Sequence, residues 1–304
     1  MTLSHDPLWP RAGSWPSPSG GPVVDLALLG VPTWRTSITP GGAGSTPAAV
    51  RAALNYYSEY WPVDRSATRR VDARALVAED WGDCEEPDGA EGEARAIESV
   101  AAAARAASLL VVLGGDNAAT VPAALGVWGD RIGTAGLVTV DAHHDLRDGI
   151  SNGSPVRRLV EAGLGGTRVV QVGIADFANS AEYAARAADL GLTVIHRDEV
   201  ARRPMADVMA EALEIAGSAG GPIHVDLDVD VCDRSVAPAC PAALPGGISA
   251  YELRAAARVA GAHPLVESVD LTEVDASTDT PDGRTVRLVA LCVLELAAAV
   301  RMRQ

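Results

Sequence analysis

Short apolar runs alternate with alanine-rich amphipathic stretches along nearly the whole chain. The runs predict strands over Asp25–Val31, Arg74–Glu79, Ser108–Gly114, Gly136–Asp141, Arg168–Gly173, Leu192–His196, Pro222–Asp228 and Val266–Leu271. Several, such as Leu109-Leu-Val-Val-Leu113, are continuous rather than alternating, which suits parallel strands covered on both faces. Between them, helical patterning falls on Pro47–Trp61, Gly92–Ala107, Ser180–Leu190, Pro204–Gly217, Ser249–Ala260 and Arg284–Arg301. Pro47 and Pro204 stand where a first helical turn tolerates proline. Ser249-Ala-Tyr-Glu252 spells a capping box. The alternation implies an α/β fold with a mostly parallel, eight-stranded sheet. A closed barrel and an open three-layer sandwich both accommodate that count. In either, function belongs at the carboxyl ends of the strands.

Composition narrows the function classes. The first 22 residues, rich in Pro, Gly, Ser and Trp, read as a flexible N-terminal arm without the apolar core of a signal peptide. Residues 23–304 contain no linker, repeat or low-complexity tract and read as a single domain. A formal net charge of −15 argues against nucleic acid and anionic membrane as partners. The late apolar stretch from Leu288 to Met302 is interrupted by Glu295 and is too short to span a bilayer. All 25 basic residues are arginine, so a pyridoxal-phosphate Schiff base and a P-loop are both excluded. Four cysteines without a C-x-x-C pair read as reduced thiols in a cytoplasmic protein.

The polar clusters fall at strand ends. Leu109–Gly115 runs into Asp116-Asn117, Leu137–Val140 into Asp141-Ala-His-His-Asp145, and Ile223–Asp228 towards Asp230. Alternate residues of an extended segment share a face, so Asp141, His143 and Asp145 point into one space, as do Asp228 and Asp230. Four carboxylates neutralise two divalent cations, and a mixed oxygen and nitrogen donor set favours Mn²⁺ over a thiolate-loving Zn²⁺. Two such ions sharing a water generate hydroxide at neutral pH, a means of hydrolysing a carbon–nitrogen bond. Asp226, Asp228 and Asp230 all alternate, which leaves the register of this second motif open.

With these residues in place the chain resembles the arginase/agmatinase (ureohydrolase) family from about Leu26 onwards. The matching segments are Gly30-Val-Pro, Pro40-Gly-Gly-Ala-Gly with Pro47–Arg51, Gly114-Gly-Asp-Asn117, Asp141–Asp145, Gln171-Val-Gly-Ile174, Asp228–Asp233 with Ala237-Pro238, Pro245-Gly-Gly-Ile248 and Asp270-Leu-Thr-Glu-Val274. The resemblance implies an open α/β/α sandwich, two Mn²⁺ ions and a homo-oligomer, a trimer or hexamer. It implies Asn117, Asp141, His143, Asp145, Asp228 and Asp230 as metal ligands, with Asp226 behind them. The family usually has histidine as a ligand where Asn117 stands here, so one of the two ions should bind more weakly, and arginases and agmatinases also have histidine where Asn152 stands. Asp145 and Glu273 take the catalytic roles by the same comparison, Asp145 as proton shuttle and Glu273 as partner of the substrate's nitrogens.

Two guanidinium groups bear on the substrate. Arg147, two residues beyond Asp145, suits a carboxylate, and Arg157 offers a second such contact. With Asn152 orienting the substrate, the expected molecule carries carboxylates and an amidine, as N-formimidoyl-L-glutamate does. Ser151-Asn-Gly-Ser-Pro155 also resembles formimidoylglutamases more than arginases or agmatinases. A urea-releasing guanidino hydrolase and a metal-poor binding protein on the same fold stand as alternatives.

Overall fold

The computed structural model describes residues 6–61 and 75–303. Its eight strands are β1 (Val24–Val31), β2 (Ala78–Asp83), β3 (Ala107–Gly114), β4 (Gly136–Val140), β5 (Val169–Ile174), β6 (Thr193–His196), β7 (Ile223–Asp228) and β8 (Val266–Thr272). They form one sheet in the order β2-β1-β3-β8-β7-β4-β5-β6, and every pairing is parallel. Strands β2 and β6 lie at opposite edges and do not pair, so the sheet is open and the barrel is excluded.

Helices cover both faces. On one lie α1 (Thr46–Leu54), α7 (Met205–Ala216), α8 (Ala250–Ala262) and α9 (Arg284–Val300), packed over residues such as Leu26, Leu28, Val111 and Val225. On the other lie α2 (Gly89–Ala106), α3 (Thr120–Trp128), α4 (Pro155–Glu161) and α5 (Ala181–Asp189), over Ala27, Leu29, Leu110 and Val112. The one-turn α6 (Arg197–Val200) follows β6. The two sets of strand residues alternate along β1 and β3, as the pleat requires. Strands covered on both sides need apolar residues on both, which explains their continuous runs. No helix among the described residues is long and apolar enough to cross a membrane.

Several elements depart from the pattern-based expectation. The second strand begins at Ala78 rather than Arg74, a residue outside those described. As an edge strand it is buried only at its start, and Arg51 ties its polar end down through Asp80 (2.8 Å) and Asp83 (2.5 Å). Helix α1 stops at Leu54, where the Asn55 amide turns back to donate to the Arg51 carbonyl at 3.3 Å. Helix α3 was not expected, because all of its residues but Leu125 are buried and it carries no amphipathic stripe. Pro122 and Gly126 disguise it further. A Cβ at Gly126 would lie 2.6 Å from a methyl of Val100, so the glycine is what lets α3 approach α2. The short α4 and α6 also went unread. The expected N-terminal arm forms no helix or strand over 6–22, yet it is anchored. The Ala12 amide donates to the Tyr57 carbonyl, Trp15 Nε1 to Glu59, and the Ser19 amide to Glu79.

The capping box at Ser249 and Glu252 is present and starts α8. That helix is joined to α9 by a buried carboxylate. Glu295 is 4% exposed and accepts from Arg254 (2.6 Å) and Arg258 (2.8 Å). Burial alone would raise its pKa, but Arg258 and Arg254 outweigh it and hold the carboxyl below its ordinary value. The folded state therefore binds this proton less readily than the unfolded chain. The stabilisation is complete above the ordinary glutamate range and is lost as pH falls through the depressed value. Glu295→Ala should cost about 3 kcal/mol, since it strands two half-buried guanidinium groups. Urea unfolding at neutral pH and near pH 3 should show the deficit shrinking in acid.

Candidate functional site

The four central strands, β3, β8, β7 and β4, end side by side and deliver every acidic cluster to one cleft. Asp116 and Asn117 follow β3, Glu273 follows β8, Asp228 ends β7 with Asp230 just beyond, and Asp141–Asp145 follow β4. The loop 175–180 after β5 forms one wall of a cavity of about 430 Å³. His143, Asp145, Asp228, Asp230 and Glu273 all line it. Asp226 lies beneath, where it accepts from the Thr272 hydroxyl at 3.2 Å. His224 and Asp270 extend this buried polar stripe under α3, their side chains 3.2 Å apart.

Three of the six expected ligands gather tightly. His143 Nδ1 stands 3.3 Å from Asp141 Oδ1 and 3.1 Å from Asp230 Oδ2, and the donor atoms of the three residues all lie within 4.8 Å of one another. The Asp141 carboxylate also accepts from the His143 amide at 2.7 Å, and Asp228 accepts from the Asp230 amide at 2.9 Å, so each motif bends around its own aspartate. Asp141 Oδ2 and Asp230 Oδ1 are buried with no hydrogen-bond partner. Leaving a carboxylate oxygen buried and unpaired is costly, and a bound cation removes that cost. The donor set, oxygen-rich with one imidazole, fits a hard divalent ion such as Mn²⁺.

The electrostatics show the same imbalance. Burial and the neighbouring Asp230 charge raise Asp141 to about 6. Burial, and then the surrounding carboxylates, push Asp145 and Asp228 well above the usual range. Burial would lower the His143 imidazole, but Asp230 and Asp141 outweigh it and push it up to about 12. The His143 imidazole therefore favours its protonated form beside these carboxylates. A divalent cation would displace its proton and free the nitrogen as a ligand.

Asn117 sits beside Asp145, held by its own hydrogen bonds. Its Oδ1 accepts from Thr120 (2.5 Å) and Thr272 (3.3 Å), while its Nδ2 donates to Asp145 Oδ2 at 2.5 Å. With Asp145 as a carboxylate, the opposite amide orientation would set two bare oxygens against each other, so the ionised form selects this one. As placed, Asn117 offers Asp145 a donor. Its backbone amide also donates to Glu273 Oε1 at 2.8 Å, and the Asn152 amide donates to the same oxygen at 2.7 Å. Burial, with the Asp230 and Asp116 charges, raises Glu273 to about 8. Asp145 and Glu273 share a further property: both adopt left-handed backbone, φ 53° and 62°. Side chains in that region carry strain, and its concentration here marks a site where geometry outweighs local stability.

The arginase family model matches residues 24–299. The chain belongs to the arginase family. Among its relatives, the formimidoylglutamase of Halalkalibacterium halodurans is 33% identical over 285 residues, covering 88% of this chain and 86% of the relative. The crystal structure of formimidoylglutamase from Bacillus subtilis superposes with a TM-score of 0.89 at 27% identity, covering 99% of this chain and 95% of that one. Trypanosoma cruzi formiminoglutamase, solved with Mn²⁺, gives a TM-score of 0.82 at 25% identity, covering 92% and 95%.

Within this arginase-family cleft the two candidate arginines separate. Arg147 is exposed and lines the mouth, beside Gly153, where a Cβ would stand 2.7 Å from Arg147 Cδ. The absent side chain leaves the groove in which Arg147 lies. Arg157 does not line the cleft. Its guanidinium donates to the carbonyls of Arg147 (2.7 Å) and Gly149 and to Glu161 (2.5 Å), so it holds the loop that carries Arg147. Ser37, Phe177, Asn179 and Asp275 also line the cleft and were not expected there. Phe177 and Asn179 follow directly on β5, and attention to that strand end could have found them. Asp275 stands three residues beyond β8 and carries the same signal, whereas Ser37 carries none, since tertiary folding alone brings its loop to the mouth.

Proposed function

We propose that this arginase-family chain hydrolyses N-formimidoyl-L-glutamate to L-glutamate and formamide at a manganese centre. The observation that carries the proposal is Arg147 at the mouth of a cleft whose floor is acidic. A substrate with carboxylates at one end and an amidinium at the other lies naturally along that gradient of charge. The formimidoylglutamases among the relatives support the same substrate.

Asp141, His143 and Asp230, with Asp228 and Asp145 beside them, would hold the metal, two ions when the site is full. Bound there, the ions would acidify a water enough to supply hydroxide near neutral pH. Glu273 would pair with the amidinium nitrogens, its carboxylate aimed by Asn152 and the Asn117 amide. Asn152 is itself fixed by the Ile38 amide at 2.9 Å, so it acts by orienting Glu273 and the substrate. Asp145 would carry a proton on its carboxylate to the departing amine nitrogen, and the Asn117 donor at Oδ2 holds that carboxylate in place. Arg147 would grip the substrate carboxylates, with Arg157 supporting its loop. A homo-oligomer in the cytoplasm completes the proposal.

The test is a substrate panel. Manganese-loaded protein is incubated with formimidoylglutamate, guanidinobutyrate, agmatine and arginine while glutamate, formamide and urea are assayed. Glutamate and formamide in equal amounts from the first compound are expected. Urea from a guanidino compound, with no glutamate from the first, overturns the substrate assignment. No turnover and no manganese uptake would instead indicate a binding protein on this fold. Arg147→Ala should raise KM for formimidoylglutamate by roughly 10- to 100-fold, the worth of a charged hydrogen bond, and leave kcat nearly unchanged.

A further inference from the structure

Asn179 has no part in the chemistry outlined above, yet its side chain bridges the backbone on both sides of His143. Oδ1 accepts from the His144 amide at 2.9 Å, and Nδ2 donates to the Ala142 carbonyl at 2.9 Å. A reversed amide would oppose nitrogen to N–H and oxygen to carbonyl, so both partners select the orientation. The segment rests otherwise on β5 and the residue after it. The Ala175 amide also donates to Ala142, and Gln171 engages the His144 ring at 2.6 Å and its carbonyl at 2.9 Å. Asn179 differs from these supports in coming from the loop 175–180, which faces the cleft and carries the fully exposed Phe177 in left-handed backbone, φ 65°.

We infer that Asn179 is a positioning residue. It sets the two peptide planes flanking His143 and so aims that imidazole at the space shared with Asp141 and Asp230. The inference rests on the metal-centre reading above. A ligand whose backbone can rotate loses its directional advantage, and groups that orient ligands typically matter about 10- to 100-fold in metal affinity. The arrangement also links the loop 175–180 to the segment that carries His143 through one side chain.

The experiment titrates metal-free wild type, N179A and N179D with Mn²⁺ in a calorimeter and measures turnover of formimidoylglutamate at limiting and saturating manganese. N179D keeps the size of the side chain and the acceptor for His144, but turns a carboxylate oxygen towards the Ala142 carbonyl. Both variants are expected to bind Mn²⁺ about 10- to 100-fold more weakly. The metal-free thermal midpoints should be unchanged, and KM at saturating manganese should stay within about twofold of wild type. Wild-type manganese affinity in both variants overturns the inference. So does a loss confined to KM at saturating metal, which would make Asn179 a substrate contact, or a loss explained by lowered midpoints in both variants. Wild-type protein that takes up no manganese overturns the metal-centre reading as well, whereas a wild type that binds alongside unaffected variants overturns this inference alone.

Discussion

Asp145→Asn is expected to lower kcat by roughly 10²- to 10⁴-fold, the range for loss of a positioned proton-transfer group. The substitution keeps the shape of the side chain and removes its charge and its capacity to carry the proton. The new amide can keep the Asn117 contact through its own oxygen, which leaves an NH₂ where the other carboxylate oxygen stood. Because Asp145 is also proposed to hold metal, manganese content must be measured on the same preparation. A variant that retains wild-type kcat with full metal would remove Asp145 from the chemistry. One whose activity returns with excess Mn²⁺ would leave it a ligand only.

Glu273→Gln should cut kcat/KM by roughly 10²- to 10³-fold, the effect of neutralising one member of a buried charge pair. The carboxylate accepts from two N–H donors, of Asn117 and Asn152, which favour its charged form against the burial that raises its pKa. A glutamine at this position must place its own NH₂ against one of those donors or turn its oxygen away from the amidinium. Steady-state kinetics separates this result from that of Arg147→Ala. Loss at Glu273 should appear in kcat as well as KM, because the amidinium carries the reacting carbon. A Glu273→Gln enzyme indistinguishable from wild type would mean the substrate lies in the cleft the other way round.

Much of this architecture was legible in the chain, for a physical reason. An apolar run that ends on alternating aspartates is both a buried strand and a set of side chains sharing one face, so strand and site announce themselves together. That covers Asp141, His143, Asp228 and Asp230. Helix α3 escaped because burial on all sides erases the periodicity by which a helix is recognised. Asn117 was expected as a metal ligand from its place in the motif. In the structure its Oδ1 accepts from Thr120 and from Thr272, which lies 155 residues away along the chain, a contact no local pattern announces. Arg157 has the right charge at a plausible distance, but the loop folds back and offers it two carbonyls. Charge can be read from a sequence, whereas competition for that charge cannot.

The order of strands in the sheet has a consequence for the protein's biosynthesis. Strands β3 and β4 follow one another in the chain with only α3 and a short turn between them, yet two strands made much later lie between them in the sheet. A ribosome that has released residues up to about 220 has produced six strands and no continuous sheet. The N-terminal group β2-β1-β3 and the group β4-β5-β6 must wait, each with an unpaired edge, until β7 and β8 arrive to join them. Such edges are templates for misplaced pairing, and long-range closure is slow. The carboxylates of β7 and the glutamate after β8 come with the joining strands. The chain therefore completes its sheet and its catalytic cleft in the same late event, and a truncated product cannot carry a working half of the site.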